Sequence, residues 1–284
     1  MVAVLGGLGA ACAWAVALVC SSRSTRLLGP WSVLAWVMLV GLAVTVPGLV
    51  VAGLPELDAE ALALLAVGGF GNVGGLLLVY TALRTGKVGI VGPIVSTEGA
   101  IAAVVAILAG ESVAAGTGAT LALIVVGIVL AGIDRQAEAE VAGGSRPVGR
   151  AALLALAAAF AFGAGIYATG RVGEELPIAW AVLPARLVGV VAVAIPLVLS
   201  SRLRLTRRAV PLVVAGGIAE VVGFALFALG ARDGIAVSAV LASQFAGIAA
   251  VAAFVLFHER LTRVQVAGAA TIAAGVALLS WLQA

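Results

Sequence analysis

The chain has 284 residues, 63% of them hydrophobic and 10% charged, with a mean hydropathy of +1.25. Soluble domains carry about 25% charged and roughly 45–50% apolar residues, so this composition cannot cover a water-facing surface and defines an integral membrane protein. The net charge of +3 is small and sits in loops, which excludes a nucleic-acid surface. The alternating segments of a barrel, about ten residues each, are absent, which leaves an all-α fold.

A spanning helix needs about 20 apolar residues, and ten segments qualify. Span one, 2–20, has no positive leader region or small-residue cleavage site, so it is read as a helix that stays in the membrane. It carries Trp14 and the two cysteines, Cys12 and Cys20. Eight residues of helix separate these by ~12 Å, too far to bridge, and both are read as small packing residues. Span two, 31–53, contains Pro47. Span three, 61–83, contains GGFGNVGG, with Asn72 among five glycines. Span four, 88–110, contains Pro93, Ser96, Thr97 and Glu98, and Glu111 follows it. Span five is 114–133. The polar stretch DRQAEAEVAGGSRPVGR then divides the chain into 1–133, a linker at 134–149, and 150–284.

Span six, 150–170, holds Tyr167. Span seven, 177–199, holds Pro184, Arg186 and Pro196. Span eight, 209–230, holds GGIAEVVG with Glu220, and span nine, 234–257, holds Gln244. Span ten is 262–282. His258 is the single histidine, so no metal-ligand set is present and no cofactor is implied.

The two halves read as copies. A gapless shift of 148 residues pairs Arg23 with Arg171, Gly41 with Gly189, Gly75 with Gly223, Arg84 with Arg232, Glu111 with Glu259 and Gly127 with Gly275. Five spans per copy is an odd number, so the second copy enters the membrane inverted. The loop charges agree. One side carries 13 basic residues, including Arg23, Lys87, Arg135, Arg146, Arg207 and Arg260, and the other only Arg171 and Arg232. The positive-inside rule puts the first set in the cytoplasm and both termini outside. Ten helices in two inverted five-helix repeats are the architecture of secondary transporters, with substrate bound near the midplane.

Five polar side chains fall near half depth: Glu98, Glu220, Arg186, Asn72 and Gln244. A charge at a helix centre costs ~2.5–3.5 kcal/mol on insertion scales and faces a bundle interior or a cavity. Trp14, Tyr167, Ser96 and Thr97 are candidates to line the same cavity. Arg186 has two potential partners, Glu98 and Glu220, and neutralising one leaves the other carboxyl alone in the membrane. That carboxyl can serve a proton or a cationic part of a substrate; a static pair with Arg186 is the structural alternative. The glycines around Asn72 and Glu220 allow close helix packing. Glu111 and Glu259 each end a span beside a turn, a position that reads as a structural helix junction.

The stretch 240–280 resembles EamA-type members of the drug/metabolite transporter superfamily. It carries His258, Glu259, Arg260, Leu261 and Thr262, then Gln265 and the glycines Gly268 and Gly275, against a family pattern of Gly-Glu-Arg-Leu-Thr, Gln and a Gly-containing last helix. Gly110, Glu111, Gly118 and Gly127 repeat it more weakly in the first half. His258 stands where the family usually has glycine, and Glu98 and Ala246 stand where it often has proline. The resemblance implies ten helices and a secondary transporter in the bacterial inner membrane, often an exporter of amino acids or related small polar metabolites.

Proton coupling is the leading reading for its drive; passive facilitation and uptake remain open. No nucleotide-binding loop is present, so ATP does not drive this chain. A membrane enzyme would need a nucleophile–base or metal set that is missing, and a non-transporting scaffold would not place five polar groups at one depth. The partners implied are a small-molecule substrate, protons and the lipid bilayer.

Overall fold

The computed structural model describes residues 1–85, 91, 94–132, 147–245, 247–248 and 263–282. Lys87, Pro93, Arg135, Arg146, Ala246, and residues 258–262 with Glu259 among them, lie outside the described residues.

Among the described residues the structure is helical throughout, with no strand. Helix α1 spans Val2–Leu28, α2 Pro30–Ala52 and α3 Ala59–Thr85. One residue joins α1 to α2. Gly29 takes φ 82°, donates its N–H to Thr25 O at 2.9 Å, and hands over to Pro30, which needs no donor at a helix start. Asp58 caps α3 by accepting the Ala61 N–H at 2.7 Å. Helix α4 is Glu98–Leu108, α5 Ala115–Gly132 and α6 Pro147–Glu175. Helix α7, Ile178–Gly189, runs through a π turn at Val190–Ala194 into α8, Ile195–Leu199. The widened turn falls where Pro196 leaves the ladder one donor short. Helix α9 is Val210–Ala231, α10 Ile235–Ala242 and α11 Arg263–Leu282.

Among the described residues, six segments are long and apolar enough to cross a membrane: α1, α2, α3, α6, the α7–α8 unit and α9. The segments expected as spans four, five, nine and ten appear among the described residues as the shorter helices α4, α5, α10 and α11. Two of these have a local cause. Span four is interrupted by a turn at Ser96–Thr97 and span nine by a turn at Ser243–Gln244, so α4 begins, and α10 ends, in mid-segment.

Helix α1 lies antiparallel along α9, with Gly6 against Gly230 and Ser21 against Gly216. Helix α3 lies antiparallel along α6, with Gly68 against Thr169 and Gly71 against Ala161. These contacts recur at the offset of 148 residues found in the sequence. Gly41 meets Arg186, and Gly189 meets Met38; Gly127 meets Ile272, and Gly275 meets Ile124; Gly75 meets Phe162, and Gly223 meets Trp14. Each pair of contacts maps onto itself when the halves are exchanged. Helices α2 and α7, themselves equivalents, run in opposite directions, since Gly41 faces Arg186 while Gly48 faces Ala179.

Two larger apolar clusters fill the ends of the bundle among the described residues. One, with Val4, Phe227, Ile235 and Leu241, lies toward the N-terminus. The other, with Leu28, Leu34, Ala151 and Val213, lies toward the α1–α2 turn. At the first end Asp233 Oδ2 accepts from the Met1 ammonium at 3.1 Å and the Ala3 N–H at 3.2 Å, satisfying orphan donors of α1. Arg232 donates to Gly173 O at 2.7 Å and Leu176 O at 3.2 Å, fixing α9 to the end of α6. The buried polar residues Asn72, Glu98, Arg186, Glu220 and Gln244 lie between the clusters.

Candidate functional site

The break in span four sets the position of Glu98. Thr97 turns the chain, its N–H and its hydroxyl both donating to Ile94 O at 3.2 and 2.7 Å. Glu98 is then the first residue of α4, 4% exposed, where the free N–H groups of a new helix favour a carboxylate. It makes no hydrogen bond or ion pair to another described residue.

Arg186 has the other carboxyl. Its side chain is 0% exposed, with Nη1 4.0 Å from Glu220 Oε1 and 3.7 Å from Met38 Sδ, and its guanidinium carbon 5.3 Å from the centre of the Phe224 ring. Nε and Nη2 have no partner among the described residues. Asn72 lies beside Glu220, with its Oδ1 unpartnered. Both Met38–Arg186 and Asn72–Glu220 are pairs of equivalent positions, 148 residues apart, so the local two-fold axis passes close to both.

Glu98, Glu220 and Asn72 line one cavity of about 90 Å³. Its remaining wall is mostly apolar and also comes in equivalent pairs: Trp14 with Phe162, Leu18 with Ile166, and Leu76 with Phe224. Trp14 closes the side toward the N-terminal end, edge-on to Phe224 at 5.0 Å and to Phe245 at 6.3 Å. The cavity extends from there along α1 and α3 toward Ser21 and Tyr80. The two-fold pattern is partial: Ser21, Tyr80 and Phe245 line the cavity while their equivalents Thr169, Ala228 and Thr97 do not, and the equivalent of Glu98 is Ala246.

The profile of the EamA-like transporter family matches residues 1–133 and again 149–281. The chain belongs to the EamA-like transporter family. It is therefore a multi-pass membrane transporter, with a small-molecule substrate and lipid as its surroundings. A solved structure described only as the crystal structure of a protein shares the fold of this family member, with a TM-score of 0.78 at 20% identity over 99% of this chain and 96% of the other. No curated protein matches the sequence at a significant level.

Within this EamA-like chain, the other expected site residues lie around the cavity or away from it. Arg186 is screened from it by Glu220 and Phe224. Ser96 and Gln244 are buried with Oγ and Nε2 unpartnered, and they occupy equivalent positions at the two chain breaks. Neither they nor Thr97 line the cavity. Tyr167 faces a second pocket, of about 240 Å³, at the N-terminal end with Glu111, Arg171 and Glu174. Glu111 accepts the Ala236 N–H on both carboxyl oxygens, at 3.1 and 3.2 Å, and so caps α10. Burial raises its carboxyl above the usual range, and the Ala236 N–H opposes that shift.

Sequence reasoning did not single out Ser21, Tyr80, Phe162, Phe224 or Phe245. For Phe162 a signal existed, because the 148-residue shift places it opposite Trp14.

Proposed function

We propose that the chain is a secondary carrier of the bacterial inner membrane that exports small polar metabolites, amino acids or related compounds, in exchange for protons. In this reading the central cavity is the substrate site. The observation that carries it is Glu98, a buried carboxyl that lines the cavity and has no partner among the described residues, while Arg186 is committed to Glu220. A carboxyl that takes either a proton or the substrate, and not both, couples their movements in opposite directions. Glu220, Asn72, Arg186 and Gln244 shape the polar layer around it.

The proposal includes ten spans in two inverted repeats, 1–133 and 150–284, joined by a linker at 134–149, with both termini outside the cytoplasm. The opposed directions of the equivalent helices α2 and α7 support inversion, because a parallel repeat would align them. The breaks at Thr97 and Ser243 support a site between the repeats, since interrupted helices form such sites in inverted-repeat carriers. Rocking one repeat against the other then opens the cavity to each side in turn.

The test is Glu98→Gln, which keeps size and hydrogen bonding and removes titration. Purified and reconstituted into proteoliposomes, the variant should insert and elute as the wild type does. Its substrate flux should no longer respond to an imposed pH gradient. A flux that still follows the gradient would remove Glu98 from the coupling mechanism.

A further inference from the structure

The polar groups of the central cavity are almost all acceptors. Among the described residues Glu98 has no hydrogen-bond or ion-pair partner, Glu220 presents the carboxyl that Arg186 approaches to 4.0 Å, and Asn72 Oδ1 is buried without a donor. Charged donors are lacking among the described residues. Arg186 does not line the cavity, and Trp14 Nε1, buried without a partner among them, is seated against Gly223.

A ligand carboxylate entering this space would be a third acidic group facing a single, already paired, arginine. An unpaired charge buried in that way is strongly disfavoured. An ammonium meets the opposite situation. It can donate to Glu98 and to Asn72 Oδ1, and the faces of Trp14 and Phe245 attract a cation while accommodating an apolar tail. The space is small, about 90 Å³.

We propose that the central cavity selects a small primary amine with an apolar tail and no carboxylate, its ammonium held by Glu98 and Asn72. This rests on the carrier reading above and narrows its substrates from polar metabolites at large to amines.

Three compounds that share an isobutyl group separate the possibilities: isopentylamine, leucine, which adds a carboxylate, and 4-methylpentanoate, which has the carboxylate alone. Binding to the purified full-length protein is read by titration calorimetry and by quenching of tryptophan fluorescence. Isopentylamine should bind at least about tenfold more tightly than leucine, and 4-methylpentanoate should not bind. Glu98→Gln should weaken isopentylamine binding by about tenfold or more, and Glu98→Asp should retain the preference for the amine.

Leucine binding as well as or better than isopentylamine, binding of 4-methylpentanoate, or no binding of any of the three overturns the amine assignment. If leucine is preferred and its binding still depends on Glu98, the carrier reading stands and only the substrate class falls. Amine binding that is indifferent to Glu98→Gln overturns the assignment of the ammonium to that carboxyl. Should Glu98→Gln not fold, the wild-type comparison of the three compounds decides the substrate class alone.

Discussion

Arg186 is a costly residue to bury. It is 0% exposed, two of its nitrogens have no partner among the described residues, and its charge is balanced by Glu220 at 4.0 Å. Removing one member of a buried pair leaves the other uncompensated, at about 3–5 kcal/mol, whereas replacing both is often neutral. Arg186→Met should therefore lower thermal stability in detergent by that amount, and adding Glu220→Gln should restore most of it. If the single variant is as stable as the wild type, the pair does not carry the energetic weight assigned to it. The residues in this layer were legible to different degrees. Glu98, Glu220 and Asn72 announce themselves because a polar side chain in an apolar run has few bland explanations. Which carboxyl Arg186 would choose was not legible, since sequence gives depth along a helix but not which neighbour faces it. Tyr80, Phe224 and Phe245 were hidden for another reason: an aromatic residue in an apolar span reads the same whether it packs or lines a cavity.

Helices meet here through glycines that leave room for one particular side chain. A Cβ on Gly75 would lie 2.6 Å from the Phe162 ring, and one on Gly223 would collide with Trp14. Both rings form the cavity wall and cannot swing aside as a flexible chain end could. Gly75→Ala should cost about 1–3 kcal/mol by overpacking, and Phe162→Leu in the same chain should recover stability, as read by thermal unfolding.

The junction at Glu111 gives a pH-dependent test. Its carboxyl is raised by burial, so it takes up a proton more readily folded than unfolded. The stability it contributes is complete below the ordinary carboxylate range and is lost as pH rises through the raised value. Wild-type stability should fall over that interval, and Glu111→Gln should flatten the fall. The ends of α2, α3 and α9 were legible from apolar length, whereas α1 runs on to Leu28 and α6 to Glu175, past the expected ends at 20 and 170, because a helix continues through polar residues that close an apolar run. The breaks at Thr97 and Ser243 were not, because hydropathy runs on unchanged through a turn whose backbone is satisfied locally.

For the whole molecule, the basic residues mark the two ends of the bundle. Arg171 and Arg232 gather at the end of the bundle that holds the N-terminus, while Arg202 and Arg204 lie at the other end with the α1–α2 turn. A reporter fused after Ala284 should behave as extracytoplasmic; activity of a cytoplasmic reporter there would reverse the assignment of sides. The duplication was legible because a single gapless offset matched charged loop residues as well as glycines. Its contacts in space were not, because offset says which residues are equivalent and nothing about which of them touch.

That some equivalents do touch has an electrical consequence. Met38 meets Arg186, and Asn72 meets Glu220, so both pairs lie near a line that stays in place when the two halves exchange shapes. Charges on such a line keep their depth in the bilayer and move little across the membrane field, which acts on a displaced charge with ~2.3 kcal/mol per elementary charge for each 100 mV. On the carrier reading proposed above, the Arg186–Glu220 pair would act as a stationary fulcrum. Glu98 has no charged equivalent to offset it, so the voltage sensitivity of transport would then fall on that carboxyl and on the cation it holds.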